Sequence, residues 1–221
     1  LLARVHLKLM NEQYIMETSE QVKQIKRSFR LFMNGVTAAS MRSKGLNYKI
    51  NWGVQLPDLK RMAAQYGHDA ELASALWAEN GVRECRLLAT LIMPADQMSA
   101  DEAIDWATSA DITSEIMEMA VFNLFQHLPY ADSLAHTMLD NDNMVIRAGA
   151  YHLVCRLLKR GCSVSAATIE KLLDVARIDI QTTDRQLLRA LVSCLQYMAS
   201  TDHTQAKTAA TVLNDAGFDA F

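Results

Sequence analysis

A chain of 221 residues with a formal net charge of −3, half of it hydrophobic and only 7% aromatic, can bury a sizeable core and fits one large domain better than two small ones. Three prolines and eight glycines leave little material for turn-rich β structure, while twelve methionines among many alanines and leucines favour helix by propensity, so the predicted fold class is all-α. Cys85, Cys155, Cys162 and Cys194 form no CxxC pair and no Cys/His cluster at zinc spacing, and no apolar run reaches membrane-spanning length, so no disulfide framework, metal site, cofactor or membrane contact is expected and a cytoplasmic location is the default.

Residues 1–17 carry no periodic signal and are expected to form an N-terminal arm or short helix, with no cleavable signal in the mildly apolar Leu1 to Met10. Residues 18–221 read as a single repeat domain. Thr18 with Gln21 resembles a capping box, and Val22, Ile25, Phe29 and Phe32 or Met33 then make an apolar face opposite Lys23, Lys26, Arg27 and Arg30. Asn34-Gly35 closes that helix, and a short second one runs from Val36 to Lys44. A loop bracketed by Gly45 and Gly53 follows. With its flanks it gathers Arg42, Lys44, Tyr48, Lys49, Asn51 and Trp52, the mixture of cations and aromatics that suits a nucleic-acid backbone; a loop tucking its rings into the next helix pair reads equally well. Pro57 and Asp58 suit a first helical turn, because proline there loses no intrahelical bond and aspartate faces the positive helix end. Leu59, Met62, Ala63 and Tyr66 recur at helical spacing, Gly67 stops the run, Leu72, Leu76 and Trp77 stripe the next helix, and Asn80-Gly81 punctuates again.

Beyond Pro94, Ser99 and Glu102 form a second capping box, opening a helix that carries Ile104 and Trp106. Asp111 is the expected N-cap of a helix that runs through Ile116 to about Leu128, apolar nearly all round, with Glu115 and Glu118 on one face near its positive end. From Met144 to Leu158 the chain is again almost wholly apolar, and Arg147 is the only full positive charge in the first three turns. Such an arginine must meet an anion, because leaving it unpaired costs several kcal/mol. Asp140 or Asp142 satisfies it locally, or a ligand does; both readings stand. Residues 164–178 and 183–199 continue the scheme, the latter opened by Thr183 and Gln186, and Asp202 with Gln205 opens a last helix ending near Gly217. Second helices of successive pairs thus begin near 81, 111, 143 and 183, a period that predicts an α-α superhelix of stacked helical hairpins.

Charge is distributed unevenly. Residues 23–61 carry nine basic groups and one acidic, whereas 62–142 carry two basic and fourteen acidic. Were the basic ends to curl together they would line a concave surface; ordinary solvated helix faces are the other reading. Catalytic signatures such as GxSxG, a P-loop, GxGxxG and HExxH are absent, and His127, His136 and His152 fall at no recognised ligand spacing.

The order of NYKINWGVQLPDLKRMA, LASALWAENGVRECRLLATLIM, DWATSADI and NDNMVIRAGAYHL resembles the DNA alkylation repair family, the HEAT-like-repeat alkylpurine DNA glycosylases, over roughly residues 35–200. The resemblance implies a HEAT-like fold with a basic face for double-stranded DNA, alkylated or not, and excision of cationic N3-/N7-alkylpurines by N-glycosidic hydrolysis. An alkylated purine already carries positive charge, so a carboxylate to stabilise the oxocarbenium-like sugar, aromatic faces and a phosphate-holding arginine suffice. By the same resemblance Trp106 and Arg147 match the first tryptophan and the arginine. The aspartate position falls on Ala110, with Asp111 one residue late and Glu115 one turn on as a substitute, and the second tryptophan falls at or near Ser193. Arg185, Arg189, Lys44, Lys49 and Trp52 are the implied backbone contacts. The alternative is a non-catalytic scaffold binding nucleic acid, a protein or a peptide in the same groove.

Overall fold

A computed structural model describes residues 17–201 and 205–220, which divide into two compact units, one ending at Gln97 and the other starting at Met98. The predicted arm of residues 1–17 lies, apart from Glu17, outside the described residues. Among the described residues all regular structure is helical, and the one departure is an isolated parallel bridge between Ile50 and Val82.

In the first unit, residues 17–29 form α1, whose Val22, Ile25 and Phe29 are buried as their spacing predicts. Phe32 and Met33 fall past the helix end and are exposed. Thr18 is inside the helical stretch rather than capping it, and its hydroxyl donates to Glu71 Oε1 at 3.1 Å. The cations opposite the apolar face meet acids: Lys23 and Arg27 approach Glu20, and Lys26 Nζ lies 2.6 Å from Glu79. Asn34 caps α2 (Gly35–Ser43) by accepting from Thr37 N at 3.0 Å.

The loop that follows closes the fold. Ile50 N donates to Gly81 O and Arg83 N to Ile50 O, pinning the strand-like segment to the start of α5 (Arg83–Ile92). Arg83 Nη1 donates to Val54 O at 2.9 Å, Val54 N donates to Glu84 Oε1 at 3.2 Å, and the two charged side chains meet at 3.1 Å with 3% and 0% exposure. A buried pair is costly unless its polar atoms are also used; here the loop backbone engages Arg83 Nη1 and Glu84 Oε1, while Glu84 Oε2 is buried without a hydrogen-bond partner among the described residues. These bonds tie the GVQLPDLK segment to the RECRLLA segment. α3 (Leu56–Tyr66) and α4 (Ala70–Trp77) both pack on α5, and Arg86 lies 4.2 Å over the Trp77 ring.

Gly53 is held at φ 71°, and a Cβ there would stand 2.1 Å from Asn34 O, a backbone atom that cannot step aside. Gly53→Ala is therefore expected to cost about 2–3 kcal/mol, read as a lower urea midpoint at constant m. Gly67→Ala, at φ 68° but facing open space, should cost less.

The second unit is built in two layers. α6 (Ala100–Ala107), α8 (Ala131–Leu139), α10 (Ala166–Asp179) and α12 (Ala206–Asp215) pack successively on one another, and α7 (Ser114–Asn123), α9 (Met144–Lys159) and α11 (Arg185–Ala199) form the second layer. α8 with α9 and α10 with α11 are the hairpins that join the layers, and α5, α7, α9 and α11 begin where the period of the sequence places second helices. Ser99 caps α6 as expected, by accepting from Glu102 N at 3.2 Å. α7 is capped by Thr113, not Asp111, and gives way after Asn123 to a short 3-10 turn, Phe125–His127, before Pro129. Asp184, not Thr183, caps α11, accepting from Gln186 N and Leu187 N. The glycine of the RAGA segment has a packing cause. A Cβ on Gly149 would stand 2.5 Å from Met117 Sδ and 2.8 Å from Met138 Cε, so its absence lets α9 lie against both α7 and α8.

Candidate nucleic-acid interface

α9 presents His152, Cys155, Arg156 and Lys159 on one face, because residues three, four and seven apart share a helix side. α11 answers with Arg185, Gln186, Arg189, Ala190 and Ser193, and α7 adds Glu118. Together they line a groove of about 450 Å³ with four arginine or lysine side chains against one carboxylate.

Two of the cations are held in place rather than left to wander. The Arg156 guanidinium lies 4.4 Å from the Phe122 ring centroid while its Nε donates to Gln126 Oε1 at 3.0 Å. Lys159 Nζ lies 5.2 Å from the Tyr197 ring. Fixing a long side chain before binding reduces the ordering cost of gripping a phosphate. Arg185 and Arg189 are exposed one turn apart, and Arg185 occupies the first residue of α11, where the helix dipole disfavours a cation. His152 Nε2 approaches Glu118 Oε1 at 3.8 Å; burial, with Arg189 and Lys159 nearby, lowers its pKa despite that carboxylate. The Cys155 thiol is lowered to about 6, first by a hydrogen bond from Cys194 and then, against the effect of burial, by Lys159 and Arg156.

The residues expected from the sequence distribute differently. Arg185 and Arg189 line the groove. Trp106, Asp111, Glu115 and Arg147 are not among its lining residues. Trp106 is 3% exposed on α6, leaving little of its ring for a deoxyribose. Asp111 is exposed and accepts from Ser109 Oγ at 2.9 Å, and Glu115 is half-buried in the first turn of α7. Arg147 hydrogen-bonds neither local candidate, and the charge of Asp142 acts on it only as a minor contribution beside that of Asp179. Its Nε and Nη2 grip Asp179 at 2.9–3.2 Å, its Nη1 donates to Asn141 O at 2.8 Å, and Tyr151 OH donates to Asp179 Oδ2 at 3.1 Å. Asp140 pairs instead with Lys171. In the first unit Lys44 and Lys49 are exposed, and Trp52 is half-buried with its ring 5.5 Å from that of Phe29. Arg156 and Lys159 are not among the residues expected from the sequence, and His152 falls at no recognised ligand spacing, although the three share one helix face at spacings visible in the sequence. Among the described residues no group of three or more His, Cys, Asp or Glu is placed to hold a metal, and no helix is long and apolar enough to cross a membrane.

The family profile described as DNA alkylation repair enzyme matches residues 25–213, from α1 to α12. The chain belongs to the DNA alkylation repair family. A solved structure described as "a new family of proteins related to the HEAT-like repeat DNA glycosylases with affinity for branched DNA structures" superimposes with a TM-score of 0.72 at 17% identity, covering 88% of this chain and 83% of that one. At that identity the likeness shows the fold, which is the HEAT-like repeat architecture. No curated protein sequence matches the chain significantly. Within the DNA alkylation repair framework, the motifs of the first unit tie a loop to α5, and the RAGA segment sets the spacing of the layer that carries the groove.

Proposed function

We propose that this member of the DNA alkylation repair family binds double-stranded DNA by its phosphodiester backbone along the α9–α11 groove. The observation that carries the reading is the convergence of Arg156, Lys159, Arg185 and Arg189 on one side of a two-layer helical unit, with Glu118 the single opposing carboxylate. Guanidinium and ammonium groups so grouped neutralise successive phosphates and release their counterions. A relative in fold that has affinity for branched DNA agrees with contacts made to backbone rather than to base edges.

Excision of cationic N-alkylpurines is the finer reading, and the geometry favours binding without it. The tryptophan matched to the sugar contact is covered, and the arginine matched to the phosphate contact is neutralised by Asp179. Two measurements test the proposal. Binding of a short duplex should weaken with salt at a log–log slope of about −3 to −4, as four neutralised phosphates require; a slope near zero would reject the groove as a DNA site. Duplex carrying 7-methylguanine and 3-methyladenine should release free base at the spontaneous rate. Release that disappears in Asp111→Asn would restore the excision reading.

A further inference from the structure

The groove is lined by one thiol, and a second is buried on the facing helix; phosphate binding uses neither. Cys155 lines it at 7% exposure, and Cys194 stands behind at 0%, where α9 makes its most extensive contact, with α11. The Cys155 and Cys194 side chains stand near enough for each to act on the other's ionisation, and Lys159, one turn along α9, acts on the Cys155 sulfur. The charged and titratable groups around Cys155 are His152, Arg156 and Lys159 on its own helix, Glu118 from α7, and Arg185, Arg189 and Cys194 from α11. Four of these are permanent cations facing one carboxylate. By contrast Cys85 is fully buried in the first unit, and burial beside Glu79 pushes its thiol up to about 12.

We propose that Cys155 and Cys194 form a peroxide-oxidisable pair, Cys155 attacking and Cys194 resolving, so that the groove carries a reversible modification site. The Cys155 thiolate attacks one oxygen of hydrogen peroxide, the O–O bond breaks, and hydroxide leaves, giving a sulfenic acid. The Cys194 sulfur then attacks that sulfenic sulfur; the S–O bond breaks and the hydroxyl departs with the Cys194 proton as water. The two thiols lose two electrons and the peroxide gains them, leaving a Cys155–Cys194 disulfide and two waters overall. Cations that favour a thiolate make this attack fast, and a buried partner protects the intermediate from further oxidation. The pair stands without the DNA reading; its coupling to DNA rests on it. Phosphates that engage Lys159 and Arg156 withdraw them from the sulfur, so bound DNA should slow the thiol.

The test treats the full chain with hydrogen peroxide at pH 7, traps sulfenic acid with dimedone and maps peptides by mass. Cys155 should react at least about tenfold faster than the half-buried Cys162, Cys85 should stay unmodified, and the protein should lose two hydrogens into a 155–194 link. Cys194→Ser should stop at a dimedone adduct on Cys155. Equal reaction of Cys162 and Cys155, or oxidation with no 155–194 link, overturns the pair. Should the serine variant fail to fold, iodoacetamide labelling of the wild-type chain against pH decides. A midpoint for Cys155 near 6, raised in Lys159→Met, supports the pair, and a midpoint in the ordinary thiol range overturns it. Adding saturating duplex DNA should slow Cys155 labelling several-fold while sparing Cys162. An unchanged rate ends the coupling alone, because the reaction without DNA reads the thiols separately.

Discussion

Replacing Arg185 and Arg189 together by alanine is expected to weaken duplex DNA binding roughly a hundredfold at 0.1 M salt and to make the salt slope shallower by about two units. The magnitude follows from counterion release: one lost phosphate contact removes about 0.9 from the slope, which at a tenth molar is nearly tenfold. Both side chains are exposed, so folding should hardly notice, and losing the cation from the first residue of α11 should if anything favour the helix. Arg177→Ala provides the control. That arginine is also exposed but lies on α10, in the other layer, paired with Asp174. Titrations of all three proteins with one labelled duplex, at two or more salt concentrations, check the expectation. Equal weakening by Arg177→Ala would mean that net charge rather than the groove drives binding.

That groove was only half legible beforehand. Helix positions could be read because they are set locally: Ser99 stands before an apolar period and caps the helix it precedes, whereas Asn34, read as closing one helix, caps the next. Caps slipped where several suitable residues adjoin. Asp111, Thr113 and Ser114 all qualify by type, as do Thr182, Thr183 and Asp184, and backbone geometry rather than composition chose Thr113 and Asp184. The site depends on contacts across about thirty residues or more. Arg156 and Lys159 join Arg185 and Arg189 only because α9 packs on α11, and α9 sits close to α7 because Gly149 has no side chain. The burial of Trp106 has the same character, since α6 packs on α8, an element no local pattern ties to it.

Arg147 is the sharpest instance, and its removal carries the largest expected effect on stability. The partner that satisfies it, Asp179, closes α10, while the nearby Asp140 and Asp142 that the sequence offered are both exposed. With Arg147 and Asp179 at 16% and 5% exposure, breaking the pair from either side strands a charge in a poorly solvated place. Asp179→Asn is expected to cost about 3–5 kcal/mol, and Tyr151→Phe, which leaves the ion pair but removes one donor to Asp179, about 1 kcal/mol. Arg147→Met should also destabilise, yet the double variant Arg147→Met with Asp179→Leu should recover part of the loss, because neither charge is then left alone. Urea unfolding of the single and double variants gives the coupling energy directly. The same proteins separate the two roles that the sequence left open for this arginine. If Arg147 serves the fold, Arg147→Met lowers the unfolding midpoint and leaves the DNA salt slope as it was; a stable variant with a slope shallower by about one unit would return it to the phosphate backbone.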